Sequence, residues 1–168
     1  MPEKDKIVSG KKISYQGLFN MEELFHNIEK KLSNMGYLKV ESANVEQVLE
    51  SGTEFDIVLT PIKSLNRYAR LEFRIDITGN KIKKVDVEID EEKHEMNKGT
   101  VTFVIDGFLI TDYSEHWTNS PIYFLLKVLF DRFIYPGQFS KYELEMKEDS
   151  ESLIRELKSF LNLGKYIN

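Results

Sequence analysis

The 168-residue sequence contains no cysteine and only three histidines. Without cysteine there is no disulfide, no thiolate nucleophile and no sulfur-ligated zinc or iron–sulfur site. The three histidines, His26, His94 and His116, leave little imidazole for a histidine-rich metal centre. We therefore expect neither a metal nor a cofactor, and we assign no catalytic residue.

Long apolar runs and nucleotide-binding or hydrolase motifs are also absent. No stretch approaches the ~18 uninterrupted apolar residues of a membrane-spanning helix, and the charged residues 3–6 lack the apolar core of a signal peptide. The sequence contains no G-x-x-x-x-G-K-[ST], G-x-G-x-x-G, G-x-S-x-G or H-E-x-x-H motif. These absences predict a cytoplasmic protein without a membrane span and make an enzymatic function the least favoured class.

The composition that remains is typical of one soluble globular domain over residues 1–168. Hydrophobic residues make up 41% and charged residues 30%, with a net charge of −5. The basic N-terminal residues Lys4, Lys6, Lys11 and Lys12 are interspersed with Glu3 and Asp5, so residues 1–11 read as a flexible, solvated arm. Since no basic stripe is present, we expect no nucleic-acid binding.

The first helix has clear local signals. Asn20 offers an N-cap, with Glu23 three residues later, and the apolar residues Leu24, Phe25, Ile28 and Leu32 follow at helical spacing. Gly36 stands where a left-handed C-terminal cap is wanted. The pattern predicts a helix over residues 21–35.

From Tyr37 onward the apolar period changes from 3.6 to 2, which indicates a sheet. After a short first strand at 12–18, we expect strands near 37–49, 54–61, 67–78, 82–90 and 100–112. The short connections between consecutive strands predict an antiparallel meander, because parallel pairs need long crossovers.

Two details of this sheet follow from the pattern of its faces. A three-residue turn at 79–81 would pair Ile75 with Val85 and set Arg74 beside Asp86, which keeps apolar side chains on one face and charges on the other. The apolar parity also changes at Asp106-Gly107, which is typical of a bulge or bend. The sheet is therefore expected to be curved.

Three elements are expected in the C-terminal part of the chain. A helix at 122–134 follows Ser120-Pro121, a strand at 139–147 alternates apolar and charged residues, and a helix at 150–162 is amphipathic. The 122–134 helix is apolar around nearly its whole circumference, so it should be buried on every side. Because one C-terminal helix cannot cover all of it, we expect part of its surface to form a protein interface or the wall of a ligand cavity.

The polar segment 112–117 precedes that helix and is the best candidate for side-chain chemistry. A histidine beside carboxylates, as His116 is beside Glu115, can act as a general acid or base. The simpler interpretation, which we favour, is a structural turn with Trp117 packed as a lid on the core. The candidate binding residues for a ligand or partner are Trp117, Tyr123, Lys127, Phe130, Ile134, Glu115 and His116.

Together these elements predict an α+β fold, with a curved antiparallel meander of about six or seven strands packed against three helices. In element order the chain resembles START-like helix-grip domains over most of residues 12–162, without any shared residue motif. It departs from that family in having one early helix instead of a pair, and a helix–strand insertion at 121–147. The resemblance implies an interior site for an apolar small molecule.

Two functional hypotheses follow. The first is a non-enzymatic interaction protein, a subunit or adaptor, that binds a protein partner or a second copy through the apolar surface around 122–134. The second is a helix-grip domain that binds an apolar or lipid-like small molecule. A pocket with inward aromatics and a few convergent polar groups favours the second hypothesis. A filled core with an exposed hydrophobic helix favours the first.

Overall fold

A computed structural model describes residues 3–38, 41–111 and 135–164, together with Leu125, Val128, Leu129 and Arg132. The elements in the long ranges are β1 (Glu3–Phe19), α1 (Met21–Asn34), β2 (Glu41–Leu49), β3 (Gly52–Leu59), β4 (Ile62–Ser64), β5 (Ala69–Ile89), β6 (Glu92–Thr111) and α2 (Tyr135–Gly164). The expected α+β class is confirmed, with six antiparallel strands and two helices in these ranges. The third expected helix, at 122–134, lies largely outside them.

The sheet runs in the order β1-β6-β5-β3-β2, and the short strand β4 pairs with the beginning of β5. The N-terminal strand therefore lies beside the last strand, while β2 forms the opposite edge. Residues 3–11, for which the charge pattern suggested a flexible arm, belong instead to β1 and pair with β6. Val8 supplies the reason, because it is buried in the core, and Lys4 binds Glu72 of β5 at 2.7 Å.

The predicted hairpin turn at 79–81 is wrong. β5 is a continuous 21-residue strand, and its turn to β6 consists of Asp90 and Glu91, whose positive φ angles of 51° and 69° suit a two-residue hairpin. Ile75 accordingly faces Ile105, and Arg74 faces Asp106. Residues 91–99, which separate the expected strands at 82–90 and 100–112, lie mostly within β6.

The Gly79-Asn80 signal has a different structural cause. Gly79 lies opposite Phe55 of β3, and a Cβ at position 79 would overlap the Phe55 ring. The glycine is needed for this close approach rather than for a chain reversal. The pairing register of β5 with β6 shifts just beyond it, between Asn80 and Lys83, where Lys81 has a φ of 53°. The extra residue in this bulge shifts the alternation of β5, so that the even-numbered Ile82 points to the same inner face as the odd-numbered residues before Gly79.

The predicted bulge at Asp106-Gly107 in β6 is also wrong. The pairing of β6 with β5 continues through both residues, and the irregularity lies in β1, between Lys6 and Lys11. Gly107 occupies an inward-facing position of β6, like Ile105 and Leu109 on either side of it. Because glycine has no side chain, the apolar alternation in the sequence is interrupted there although the strand itself is regular. Its Cβ would lie 2.5 Å from the sulfur of Met146, so α2 packs into the space that Gly107 leaves.

Helix α1 confirms the sequence prediction at both ends. The Asn20 side chain accepts a hydrogen bond from the Glu23 N–H at 3.1 Å. At the other end Gly36 adopts a φ of 88°, and its N–H and that of Tyr37 bond to carbonyls of the last turn, at 2.9 Å each. This is the Schellman arrangement, which satisfies helix carbonyls that would otherwise lack donors.

Helix α2 replaces the predicted strand at 139–147 and includes the predicted helix at 150–162. It packs on β1 and β6 and contacts α1. Its buried side chains follow helical spacing: Met146, Leu153, Leu157 and Leu161. Leu144, which an alternating strand would place beside Met146, is 55% exposed, whereas Met146 is fully buried. Both helices thus cover the same face of the sheet and enclose the hydrophobic core.

Candidate functional site

The sequence-predicted site residues lie outside the described residues. This holds for Glu115, His116, Trp117, Tyr123, Lys127, Phe130 and Ile134. Within the predicted helix at 122–134, the structure describes Leu125, Val128 and Leu129 as helical and 60%, 44% and 44% exposed. Their spacing of three and four residues places them on one side of the helix. The chain by itself thus leaves these three side chains exposed, and the expectation that a partner or a ligand covers part of this helix stays a prediction.

A cavity of about 510 Å³ lies between the N-terminal turn of α1, the edge strand β2 with its neighbour β3, and the parts of β5 and β6 near the turn that joins them. The start of α1 is held at its mouth by two hydrogen bonds. Asn20 caps the helix, and the Met21 N–H donates to Oδ1 of Asn97 in β6 at 3.0 Å. Because Asn97 belongs to β6, its hydrogen bond with Met21 ties the opening of the cavity to the sheet.

The floor of the cavity is apolar. It consists of Met21 and Phe25 from α1 with Phe55, Ile57 and Ile82 from the sheet. Two glycines let the sheet residues lie close to the backbone, because a Cβ at Gly79 would overlap Phe55 and one at Gly99 would come within 2.6 Å of Ile82 Cδ1. The bulge at Lys81 then turns Ile82 toward the inside. Phe55 and Ile82 are buried, yet both still line the cavity.

The rim of the cavity is polar and acidic. Its polar members are Asn20, Glu22, Asn44, Glu46, Thr53, Lys84, Glu95 and Asn97. Lys84 binds Glu95 at 2.7 Å, and this hydrogen bond, with the charges of Glu95 and Glu22, raises the pKa of the Lys84 ammonium group. Within the described residues, neither Glu22 nor Glu46 forms a salt bridge, and Glu22 acts on Lys84 only through its charge at longer range. The arrangement can bind an apolar group on the floor and a polar group at the rim, and it holds no nucleophile–base pair.

A second polar cluster joins the end of α1 to β4 and α2. The hydroxyl of Tyr37 donates to Asp149 at 3.0 Å, and Lys63 binds Asp149 at 3.1 Å and Glu145 at 2.7 Å. Burial raises the pKa of the Tyr37 phenol, and the neighbouring Asp149 carboxylate raises it further. Burial lowers the pKa of Lys63, but the hydrogen bonds that its ammonium group donates to the Glu145 and Asp149 carboxylates outweigh this effect, and the pKa is raised. These contacts fasten α2 to β4 and to the end of α1, and none of the four residues lines the cavity.

A shallow groove of about 340 Å³ runs between β1 and α2. Its charged residues are Lys11, Lys12, Arg155 and Lys158, opposed by Glu151, with Ile13 and Ile154 between them. Lys11, the last residue of the expected flexible arm, and Lys12 thus lie in β1 beside this groove. All of these charges lie on the surface.

Two further site types find no support in the described part of the chain. No group of three histidine, aspartate or glutamate side chains there is placed to hold a metal ion. None of the helices in the described ranges combines the length and the apolar composition that crossing a bilayer requires.

No protein-family model matches the chain, and no curated protein matches it either.

The residues of the large cavity were not found by the sequence reasoning, although several had signals of their own. Asn20 was identified only as a helix cap, and Phe55 and Ile57 only as part of a strand near 54–61. The cavity depends on the bulge at Lys81, which reads in sequence as a turn. An inward-facing polar pattern on β2, Asn44 and Glu46, is the one signal that could have indicated an open edge beside the core.

Proposed function

We propose that the protein is a non-enzymatic binding domain that takes a small, partly apolar molecule into the cavity between α1 and the sheet. The observation that carries this proposal is the cavity itself, about 510 Å³ with an apolar floor and a polar rim. Ligand sites in proteins typically have volumes of roughly 300–1,000 Å³ and combine apolar walls with a few placed polar groups.

The topology supports the proposal by its likeness to helix-grip domains. β1 lies beside the last strand, α1 follows β1 directly, and the long C-terminal helix packs on the same face as α1. In such a fold the site lies between helix and sheet. Here Met146, Leu153 and Leu157 pack α2 directly against the core. The open space accordingly lies under the start of α1 rather than under α2.

Binding of a neutral fluorescent probe, N-phenyl-1-naphthylamine, tests the proposal together with native mass spectrometry of the purified protein. We expect saturable binding that Asn44→Trp abolishes, because an indole at this rim position would fill the cavity. Val45→Trp is the matched control: Val45 is the next residue of the same exposed strand and does not line the cavity. The proposed site would be contradicted if the wild type does not bind the probe, or if Asn44→Trp and Val45→Trp weaken probe binding equally.

A second candidate function is self-association through the exposed side of the helix at 122–134. We propose it because Leu125, Val128 and Leu129 form an aliphatic stripe that is open to solvent, with the exposed Arg132 at its C-terminal end. Such a stripe is self-complementary, because a two-fold axis that pairs the two helices antiparallel brings it against its own copy and keeps the two Arg132 side chains at opposite ends. Large exposed side chains of this kind gain about 1.5–3 kcal/mol each on full burial.

Sedimentation velocity over a range of protein concentrations tests self-association. We expect a concentration-dependent dimer that Leu125→Glu abolishes. Leu144→Glu is the control, since Leu144 is a similarly exposed leucine on α2 outside the stripe. A wild-type protein that stays monomeric at all concentrations, or a dimer that Leu144→Glu disrupts equally, would rule out this interface.

A further inference from the structure

Building on the proposed binding function, we infer that the cavity is selective for an organic cation, namely an ammonium group carried on an aliphatic or aromatic body. The cavity offers an apolar floor for the body and uncompensated carboxylates for the charge. Both features are contributed by residues that line the same space.

The net charge of the lining residues determines which sign of charge a ligand should carry. Three carboxylates, Glu22, Glu46 and Glu95, stand against one ammonium group, Lys84, so the lining has a net charge of 1 − 3 = −2. Lys84 is already bound to Glu95 at 2.7 Å. Within the described residues, Glu22 of α1 and Glu46 of β2 form no salt bridge, so a single ammonium group offsets three carboxylates.

The strand register places one of these carboxylates beside the apolar floor. Glu46 of β2 is paired directly with Phe55 of β3, and Asn44 is paired with Ile57. Side chains of directly paired residues project to the same face, with Cβ atoms ~4.5–5.5 Å apart. A ligand whose hydrocarbon part rests on Phe55 and Ile57 thus has its polar end beside Glu46 and Asn44.

Other ligand charges fit this lining less well. An anionic ligand would face two unneutralised carboxylates, and the single cation of the rim is engaged with Glu95. A neutral ligand could occupy the floor but would leave Glu22 and Glu46 unpaired. Coulomb attraction is also stronger beside an apolar floor than in bulk water, because the effective dielectric constant is lower there.

Competition among three probes of equal chain length tests the inference. Octylammonium, octanol and octanoate are each titrated against bound N-phenyl-1-naphthylamine, at low salt and at 0.5 M NaCl. We expect octylammonium to compete best and octanoate worst, with the advantage of octylammonium shrinking at high salt because exposed charges are screened.

The variant Glu22→Gln/Glu46→Gln removes the two charges with little change of shape. We expect it to weaken octylammonium binding about five- to tenfold, the sum of two partly exposed ion pairs, and to leave octanol binding unchanged. Glu23→Gln is the control, because Glu23 is the next residue of α1, is also exposed and does not line the cavity. Thermal melts of each variant check that the fold is retained.

The outcomes separate the inference from the proposed function on which it rests. If octanol or octanoate competes as well as octylammonium, or if Glu23→Gln has the same effect as the double variant, the cation preference is wrong and the binding site stands. If the wild type binds neither the fluorescent probe nor any of the three competitors, both are wrong.

Discussion

The ring of Phe55 fills the space that a side chain would need at Gly79, although the two residues belong to different strands. This contact lays Phe55 against the backbone of β5 and makes it the floor of the cavity. It also explains why a glycine that resembles a turn signal lies inside a continuous strand. The packing of one aromatic ring therefore links the strand pairing to the candidate binding site.

Gly79→Ala should destabilise the protein and weaken probe binding together. The added Cβ forces the Phe55 ring or the strand to shift, and such overpacking typically costs about 1–3 kcal/mol in the free energy of unfolding. Urea unfolding and probe titration measure the two effects. Gly137→Ala is the matched control, since a Cβ at Gly137 in α2 meets nothing within 4 Å and alanine favours helix. A loss of stability in the control equal to that in Gly79→Ala would contradict this explanation.

Gly107→Ala should lower the free energy of unfolding, because the added methyl group would collide with Met146. The new Cβ would lie 2.5 Å from the methionine sulfur and 3.2 Å from Cβ of Val8. In a double-mutant cycle we expect Gly107→Ala to cost about 1–3 kcal/mol in the wild type and clearly less in a Met146→Ala background. Denaturant unfolding of the four proteins gives the coupling energy. Strictly additive costs would show that α2 does not pack against this glycine.

Asn20→Ala should affect both the stability of α1 and the mouth of the cavity. The substitution removes the side-chain acceptor for the Glu23 N–H, and loss of such a cap costs about 0.5–2 kcal/mol. Asn20→Asp supplies an equivalent acceptor and should retain most of the stability. Chemical denaturation distinguishes the two variants, and equal losses in both would mean that the cap contributes little.

The Tyr37 cluster predicts a loss of stability at alkaline pH. The folded-state pKa values of Tyr37 and Lys63 are raised above their ordinary values of 10.0 and 10.5, so the stability linked to them is complete below pH 10. It is lost as the pH rises from about 10 toward the folded-state pKa values, because the unfolded chain releases these protons first.

Tyr37→Phe isolates the tyrosine contribution. At pH 7 we expect a cost of about 1 kcal/mol for the lost bond to Asp149. Between pH 10 and 11 the difference from the wild type should narrow by about 1 kcal/mol, because the variant has no proton to release at this position. Tyr142→Phe, which alters a more exposed hydrogen bond to Asn66, is the control at pH 7. A difference that stays constant up to pH 11 would contradict the raised pKa.

Local sequence signals were sufficient wherever a few neighbouring residues decide the structure. Helix α1 is the clearest example, since the cap at Asn20 and the glycine at position 36 act within one or two turns of the helix. The antiparallel pairing and the approximate positions of β2, β3 and β6 also followed from apolar alternation and short connections. The same reasoning failed at Gly79 and Gly107. Glycine is needed at these two positions because the side chains of Phe55 and Met146, which are far away in the sequence, occupy the space that a side chain would fill.

Alternation over a short window was equally misleading in α2. Residues 139–147 alternate like a strand, but the helix becomes evident only when Met146 is read with Leu153, Leu157 and Leu161.

By itself the sequence determined the α+β class, helix α1 with both of its ends, and an antiparallel sheet, because propensity, capping and side-chain period act over a few residues. Only the tertiary structure decided that β1 closes onto β6, that β5 continues through Gly79, and that a cavity opens under α1. The cavity is bounded by one helix and four strands, whose lining residues are as much as 77 positions apart, from Asn20 to Asn97. No local pattern encodes such a space, since it arises from the mutual packing of elements that are distant along the chain.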